Sequence, residues 1–277
     1  MLRIMKNIRL ATVFSGIGAV EQAFKRLQLT HSIVFACDND KFVKQSYLSN
    51  YPISEENWYN DIHDIDGKEY KNKVDILVGG SPCQSFSMVG KRKGLEDFRG
   101  LLIYEFMRLI KEIKPKTFIF ENVKGLLSHD SGKTWAILLE AFEGLGYTIH
   151  KDVLNAKDFG IPQNRERLFV VGFKKMRAFS FPISFKLEVT MQDFLEDVVP
   201  NKYFLPEKGV KFVTDNKNLK KKYTQINGTV ALCQKANQQF NWHGDFISAH
   251  TESMDKYFLS NKVQNYEIGR ASCRERV

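Results

Sequence analysis

Short apolar runs alternate with amphipathic stretches from residue 8 to about residue 173. The apolar runs predict strands at residues 8–14, 32–37, 74–79, 117–121, 148–155 and 167–172. The stretches between them predict helices at residues 19–27, 41–49, 101–113 and 134–145, the third of which stops before Pro115. Such alternation is typical of a mostly parallel sheet with helices on both faces. Ligands bind such sheets at the carboxyl ends of the strands.

The pattern changes beyond about residue 173. Residues 177–266 are rich in Lys, Asn, Gln and aromatic side chains, with weak periodicity and no strand–helix repeat. We therefore expect an α/β domain of residues 1–179 and a smaller, irregular second domain of residues 180–266. The last stretch, residues 267–277, continues no earlier pattern and resembles vector or adapter sequence, so we expect a non-native tail.

Composition and charge narrow the class of protein. The 277 residues are 43% hydrophobic and 13% aromatic, which is enough for a packed core. No apolar run spans a membrane and the start is too charged for a signal peptide, so we expect a soluble, cytoplasmic protein. The four cysteines show no CxxC spacing, which argues against a disulfide framework or a zinc site. The net charge of +9 suits a nucleic-acid partner, or simply a solvated basic surface.

A glycine-containing loop follows the first predicted strand. Phe14, Ser15, Gly16, Ile17 and Gly18 end this strand and precede a predicted helix. Glycines let the backbone turn tightly and approach a ligand, and a helix N-terminus favours negative groups. The same pattern also fits a tight turn in any strand–helix unit, and it lacks the third glycine of the dinucleotide-binding fingerprint.

Two acidic residues follow later apolar runs. Asp38 ends the second strand, where a carboxylate can accept both ribose hydroxyls of a nucleoside. Asp61 and Ile62 offer a carboxylate and a backbone N–H to an adenine edge. Each has an ordinary alternative, a solvated Asp or a polar loop. Together with the glycine loop they make three sites in order, each past an apolar run, and these three sites predict a nucleoside cofactor.

Cys83 follows the strand at residues 74–79 on a loop of glycine, serine and proline. Most intracellular cysteines are buried apolar residues, as we expect for Cys37, but this loop favours an exposed and reactive thiol. A thiolate that adds to C6 of cytosine makes C5 nucleophilic toward a methyl group. Amino-directed methyltransferases carry an Asp/Ser-Pro-Pro-aromatic loop here, so Pro82 and Cys83 together favour methylation of carbon.

Polar residues also flank the later strands. Glu121 ends the strand at residues 117–121, where a carboxylic acid can share a proton with cytosine N3 and accept from N4. Arg165 and Arg167 border the last strand, where a guanidinium can hold the ring oxygen O2. A solvated Glu and a surface ion pair with Glu166 are the ordinary alternatives.

Together these residues resemble the DNA cytosine-5 methyltransferase family of bacterial restriction–modification systems. The likeness covers residues 10–173 and rests on four motifs, at residues 14–18, 82–84, 121–123 and 163–167. It implies a Rossmann-like AdoMet-dependent methyltransferase domain followed by a smaller target-recognition domain, here residues 180–266. It further implies methylation of carbon 5 of a flipped cytosine in a specific double-stranded DNA sequence, with S-adenosylmethionine (AdoMet) as cofactor. We expect a monomer without a metal, with a cognate restriction endonuclease as system partner.

The resemblance also implies roles for individual residues. By motif match Cys83 is the nucleophile, Glu121 and Arg167 hold the flipped cytosine, and Arg165 supports them. The implied AdoMet site is lined by Phe14, Ser15, Gly16, Ile17, Gly18, Asp38, Asn39, Asp61, Ile62, Pro82 and Leu102. The chain departs from the family pattern at Asn39, where an aromatic residue is frequent.

A second departure concerns the end of the chain. The family has two further motifs after the recognition domain, and neither is found before Val277, so we expect a C-terminally truncated reading frame. One alternative is a tRNA cytosine-5 methyltransferase, although Cys233 is followed by Gln234 and not by that branch's Cys-Phe-Thr element. The other is a truncated, inactive fragment that binds nucleic acid without turnover.

Overall fold

A computed structural model describes residues 7–82, 102–196, 204–233, 242–251 and 254–258. The chain separates into two compact units. The first unit contains the described residues up to Leu154 together with Arg167–Phe181, and the second contains Asn155–Glu166 and the described residues from Pro182 onward. The tail expected at residues 267–277 lies outside the described residues.

A seven-stranded sheet forms the centre of the first unit. Its strands are β1 Ile8–Val13, β2 His31–Cys37, β3 Trp58–Tyr59, β4 Ile76–Gly79, β5 Thr117–Val123, β6 Thr148–Asn155 and β7 Glu166–Phe173. Their order is β3-β2-β1-β4-β5-β7-β6. Neighbours from β3 to β5 pair in parallel, whereas β7 pairs with β5 in the antiparallel direction. The mostly parallel α/β fold expected from the sequence is confirmed.

Four helices accompany this sheet, at the predicted places. They are α1 Ala19–Arg26, α2 Lys41–Asn50, α3 Leu102–Ile113 and α4 Lys133–Glu143. The apolar positions of α3 recur at helical spacing, and Ile103, Phe106 and Ile110 on this face are fully buried. They join a core that includes Phe118 of β5 and Phe142 of α4, whose rings stack with centroids 5.3 Å apart.

Asp75 ties the amino-terminal ends of three strands together. Its carboxylate accepts hydrogen bonds from the backbone N–H and the guanidinium Nε of Arg9, each at 3.0 Å. It also pairs with the Nζ of Lys116 at 2.6 Å. Hydrogen bonding to Arg9 holds the pKa of this carboxyl well below its usual range. The edge of the sheet opposite the carboxyl ends of the parallel strands therefore depends on an ionised aspartate.

The second unit contains shorter elements, which the sequence did not predict. They are α5 Glu207–Thr214, α6 Asn216–Lys220, β8 Thr224–Ile226, β9 Gly244–Thr251 and β10 Met254–Phe258. The three strands form a sheet with the order β10-β9-β8. Asp245 is buried in this unit and accepts hydrogen bonds from Leu232 N at 2.9 Å and Gln225 Nε2 at 2.8 Å. Burial raises the pKa of Asp245 to about 6.

Residues 155–166 group with the second unit, whereas the sequence-based boundary at 179 placed them in the first domain. Asn164 N donates to Ala231 O at 2.8 Å, and Ala231 N donates to Pro162 O at the same distance. These reciprocal backbone bonds link segments that are far apart in sequence, so the pattern of residue types along the chain does not show the grouping. The assignment of residues 180–266 to target recognition stays a prediction.

Candidate cofactor and catalytic site

Four predicted site segments follow four neighbouring strands of the sheet. In the order β3, β2, β1 and β4, these strands are followed by residues 61–62, 38–39, 14–18 and 80–82. Because the strands are parallel, their carboxyl ends meet along one edge, where ligands bind in α/β sheets. The fold therefore brings together the segments that the sequence connected with a nucleoside cofactor.

The loop after β1 is held against the end of β2 by hydrogen bonds. Ser15 N donates to Cys37 O at 3.0 Å, and Gly16 N donates to Asp38 Oδ2 at 2.9 Å. Phe14, Gly16 and Gly18 all have positive φ angles, of 56°, 55° and 89°. The backbone thus makes a tight turn that its hydrogen bonds to β2 stabilise.

Gly18 is required by the packing of the protein itself. A Cβ at this position would lie 2.1 Å from the ring atom Cε2 of Tyr51. The hydroxyl of Tyr51 donates a hydrogen bond to Gly18 O at 2.7 Å. Since the ring lies directly over this residue, any side chain larger than hydrogen would displace it.

Asp38 is nearly inaccessible, with 4% of its surface exposed. Besides the bond from Gly16, its Oδ1 accepts from Asp40 N at 3.1 Å. Burial raises the pKa of this carboxyl above its ordinary value, while the backbone N–H donors oppose that shift. A carboxylate has more lone-pair positions than these backbone donors use, so its chemistry fits a ribose hydroxyl as an additional donor.

Asp61 differs from Asp38 in its exposure. Its side chain is 56% exposed, and Oδ1 accepts a hydrogen bond from His63 N at 2.9 Å. That backbone bond is the main cause that lowers the pKa of Asp61, and the carboxylate is therefore ionised. Its Oδ1 also pairs with the ring Nδ1 of His63 at 2.5 Å. Ile62 beside it is buried in the main core, and Asn39 is exposed. Leu102 begins α3 and packs partly buried against the same core.

Glu121 and Arg167 form an ion pair. Arg167 Nε lies 2.9 Å from Glu121 Oε1, with 10% and 30% of the respective side chains exposed. Strand register explains the contact: Val123 lies opposite Arg167 and Glu121 opposite Phe169, so the two charged residues are diagonal neighbours on one face. Their roles in holding a base stay predictions, but the fold does bring them together.

Gly80 and Asn122 shape the segment that leads to the predicted nucleophile. A Cβ at Gly80 would lie 2.9 Å from Glu121 Oε2, so this glycine leaves space for the carboxyl group. Asn122 is 2% exposed, and its Nδ2 donates to Ser81 O at 2.9 Å. The sequence did not single out Asn122, although it continues the buried alternation of β5 after Phe118 and Phe120. Pro82 is described, whereas Cys83 lies outside the described residues.

Arg165 belongs to the second unit. Its backbone N–H donates to Asn155 Oδ1 at 2.9 Å, and its carbonyl accepts from Ala156 N at 3.0 Å. Asn155 is thereby linked to the segment that carries the arginine. The supporting catalytic role of Arg165 stays a prediction.

Sequence reasoning also missed a fully buried carboxyl. Glu21, in the first turn of α1, is 0% exposed and accepts a hydrogen bond from the hydroxyl of buried Tyr47 at 2.6 Å. A glutamate in the first turn of a helix is usually exposed to solvent. Its spacing of three positions from buried Phe24 was the available signal that it lies on the inner face.

Comparison with known proteins identifies relatives of this chain. A model of the family described as C-5 cytosine-specific DNA methylase matches residues 8–273. The type II methyltransferase M.SsoII of Shigella sonnei is 41% identical over 204 residues, which cover 72% of this chain and 52% of that protein. The orphan methyltransferase M.SPRI of Bacillus phage SPR is 36% identical over 234 residues, covering 73% and 53%. The chain thus spans about half the length of these curated relatives.

Solved structures share the fold. The Dnmt2 methyltransferase of S. pombe superposes with a TM-score of 0.72 at 16% identity, covering 98% of this chain and 93% of that one. The methyltransferase EhMeth of Entamoeba histolytica gives a TM-score of 0.73 at 15% identity, covering 97% and 89%. At such low identities the likeness concerns the fold alone.

No helix in the described part of the chain is long and apolar enough to cross a membrane. Across the same residues, no group of three or more His, Cys, Asp or Glu side chains is arranged to hold a metal ion.

Proposed function

This chain belongs to the C-5 cytosine-specific DNA methylase family, and from that premise we propose that it methylates carbon 5 of a cytosine in double-stranded DNA with AdoMet as donor. The observation that carries the proposal is the Glu121–Arg167 pair, whose Oε1 and Nε lie 2.9 Å apart. This pair lies on strands β5 and β7 of the same sheet whose strands β1 and β2 are followed by the glycine loop and Asp38. A cofactor site and a base-binding site on one sheet are what methyl transfer to a base requires.

The cofactor site is proposed to consist of residues from the loops after β1 to β4 and from the start of α3. Asp38 would accept hydrogen bonds from the ribose hydroxyls, and Asp61 with Ile62 would contact the adenine. The full proposed set is Phe14, Ser15, Gly16, Ile17, Gly18, Asp38, Asn39, Asp61, Ile62, Pro82 and Leu102. When bound, AdoMet supplies a methyl group on a positively charged sulfur, which a carbon nucleophile can attack.

Cys83 is proposed to activate the base. The target cytosine leaves the duplex, at a cost of about a few kcal/mol that contacts in the pocket offset. The Cys83 thiolate then forms a bond to C6, and the ring electrons move so that C5 becomes nucleophilic. After methylation C5 loses its proton to a base, the electron pair reforms the C5–C6 double bond, and Cys83 leaves as a thiolate.

Glu121 and Arg167 are proposed to hold the ring during this addition. Glu121 would share a proton with N3 and accept from N4, which draws electrons away from C6. Arg167 keeps the Glu121 carboxyl in one orientation through its Nε–Oε1 bond and would bind the ring oxygen O2, with Arg165 in support. The glycine at position 80 supports the proposal, since it leaves space beside Oε2.

Transfer of labelled methyl from AdoMet to unmethylated DNA tests the proposal, with tRNA as a parallel substrate. We expect label in DNA, none after Cys83→Ser, and unchanged transfer after the matched substitution Cys233→Ser. DNA containing 5-fluorocytosine at the target should give a covalent adduct, because the fluorine cannot leave as a proton does. Methylation by Cys83→Ser at the parental rate would contradict the assignment of the nucleophile, and label only in tRNA would contradict that of the substrate.

A biological setting is proposed from the names of the relatives. Those of Shigella sonnei and Neisseria gonorrhoeae are named type II methyltransferases, which favours a restriction–modification system with a cognate endonuclease. Two phage relatives are named orphan methyltransferases, which favours a protein without such a partner. Digestion of host DNA by an endonuclease encoded beside this gene, blocked by prior methylation, would support the first setting. Absence of such an endonuclease gene would support the second.

A further inference from the structure

A chain of four buried hydrogen bonds runs beneath the glycine loop. The hydroxyl of Tyr47 donates to Glu21 Oε1 at 2.6 Å, and Thr12 Oγ1 lies 3.0 Å from the same oxygen. Thr12 Oγ1 is also 2.8 Å from Ser15 Oγ, which in turn lies 3.1 Å from Cys37 O and accepts a hydrogen bond from Cys37 N at 3.1 Å. The chain therefore connects α2, α1, β1, the loop and the end of β2.

The number of available hydrogens depends on the protonation of Glu21. Tyr47, Thr12 and Ser15 each have one hydroxyl hydrogen. If Glu21 is ionised, three hydrogens must serve the four oxygen–oxygen contacts, and one pair is left at bonding distance without a hydrogen. Where that pair is Ser15 Oγ and Cys37 O, each oxygen still accepts a backbone N–H, from Cys37 and Ser15 respectively. If Glu21 is a neutral acid, its proton completes the set: Tyr47 donates to Glu21, Glu21 to Thr12, Thr12 to Ser15, and Ser15 to Cys37 O.

The surroundings of Glu21 also disfavour its charged form. The residue is 0% exposed, and Oε2 is buried without a hydrogen-bond partner in the part of the chain that the structure describes. A buried ionised oxygen without a donor is costly. Burial raises the pKa of Glu21 above its ordinary value.

The titratable groups around Glu21 are few. Tyr47 of α2 and Tyr51, which follows the end of α2, are close enough to interact with it, and an ionised form of either would further oppose a charge on the carboxyl. His31 at the start of β2 is the group whose charge would favour ionisation of Glu21. Lys25 follows four residues later on α1 itself, in the last turn of that helix.

We propose that Glu21 is a positioning residue of the cofactor loop, and that it orients Ser15 as a neutral carboxylic acid through Thr12. Ser15 precedes Gly16, whose N–H donates a hydrogen bond to Asp38. A fixed orientation of the Ser15 side chain therefore holds the turn on which cofactor binding depends. This inference rests on the proposed function, since the loop matters only if AdoMet binds there. Glu21 itself does not contact the cofactor.

A spectroscopic measurement tests the protonation directly. In the full chain at neutral pH, infrared difference spectra between the parent and Glu21→Gln should show the carbonyl band of a protonated carboxylic acid, shifted in D₂O. If the difference spectrum shows only carboxylate bands, Glu21 is ionised and the proposal is overturned. This readout does not require AdoMet, so it remains informative even if the proposed function fails.

Binding of AdoMet to the full chain tests the positioning role. Glu21→Gln should retain the parental Kd within about threefold, because its amide nitrogen can donate to Thr12 as the neutral acid does and its amide oxygen can accept from Tyr47. Tyr47→Phe and Glu21→Ala should weaken binding about five- to tenfold, as expected for loss of a buried hydrogen bond. A matched control is Tyr147→Phe, which removes a buried hydroxyl that donates to Pro115 O at 2.7 Å in the same unit. It should leave Kd unchanged.

The variants distinguish this role from simple structural damage. If Glu21→Gln weakens AdoMet binding as much as Glu21→Ala, the neutral acid is not what the loop needs and the proposal is overturned. If Glu21→Ala does not fold, the comparison of parent, Glu21→Gln and Tyr47→Phe still decides the question. If the parent protein itself fails to bind AdoMet, the proposed function is contradicted, whereas the protonation of Glu21 is still decided by the infrared bands.

Discussion

Replacing Gly18 with alanine should destabilise the first unit, because two separate costs meet at this residue. Its φ angle of +89° is unfavourable for a residue with a Cβ. The new Cβ would also lie 2.1 Å from Cε2 and 2.8 Å from the hydroxyl oxygen of Tyr51. The ring would have to move and give up its hydrogen bond to Gly18 O, which measures 2.7 Å.

The size of the effect follows from these contributions. The backbone conformation costs about 1–2 kcal/mol for alanine. Overpacking against the ring adds about 1–3 kcal/mol, and loss of the hydroxyl bond about 1 kcal/mol. We therefore expect the free energy of unfolding to fall by about 3–6 kcal/mol. Gly146 is a matched control, since its φ is +79° and a Cβ there meets nothing within 4 Å, so Gly146→Ala should cost only the backbone contribution.

A double-mutant cycle with Tyr51→Ala separates the two costs. Urea unfolding followed by circular dichroism should show that Gly18→Ala costs only about 1–2 kcal/mol once the ring is absent, a coupling of about 2–4 kcal/mol. AdoMet binding should weaken in Gly18→Ala and stay at the parental level in Gly146→Ala. If Gly18→Ala costs the same in both backgrounds, and no more than Gly146→Ala, the reasoning from the ring contact is refuted.

Three further outcomes are expected. Asp75→Asn should cost about 1–3 kcal/mol at pH 7. Because Arg9 lowers the pKa of Asp75, this stabilisation is present above the unfolded value of about 3.9 and is lost as the pH falls below it, so urea midpoints of parent and variant should converge in acid. Burial raises the pKa of Asp245 to about 6, so this group contributes stability that is fully present below about pH 4 and is lost as the pH rises through 6. The free energy of unfolding of Asp245→Asn should not show this decline. Arg167→Ala should reduce labelled methyl transfer about 100-fold or more, whereas exposed Arg177→Ala should not.

The elements of the first unit were predictable because their signals are local. The helix predicted at 101–113 is observed as Leu102–Ile113, and the strand predicted at 148–155 is Thr148–Asn155. Burial on one face imposes helical or alternating spacing on neighbouring residues, and Pro115 marks a boundary within the same stretch. The two-residue strand β3 is too short to have such a signal. The antiparallel direction of β7 is decided by where the chain re-enters the sheet.

The candidate site was predictable only as a set of loops. Glu121 and Asp38 could be placed near strand ends from sequence, since strand ends are marked by the end of an apolar run. The strand β5 in fact continues two residues past Glu121, to Val123. The ion pair of Glu121 with Arg167 depends on register between β5 and β7, and the two backbone bonds to Asp38 depend on the approach of two loops. Neither contact leaves a trace in the spacing of residues along the chain.

Residue types and their order thus determine the α/β class and the family, and they propose Cys83 as the nucleophile, because each motif is a short stretch that can be read by itself. Burial, pairing and protonation of single groups come from contacts between distant segments. Glu21 illustrates the difference: its sequence context is an ordinary first helical turn, yet Thr12 and Tyr47, from β1 and α2, enclose its carboxyl. Solvent is excluded there only when the sheet and both helices are assembled, and this exclusion changes the chemistry of the group.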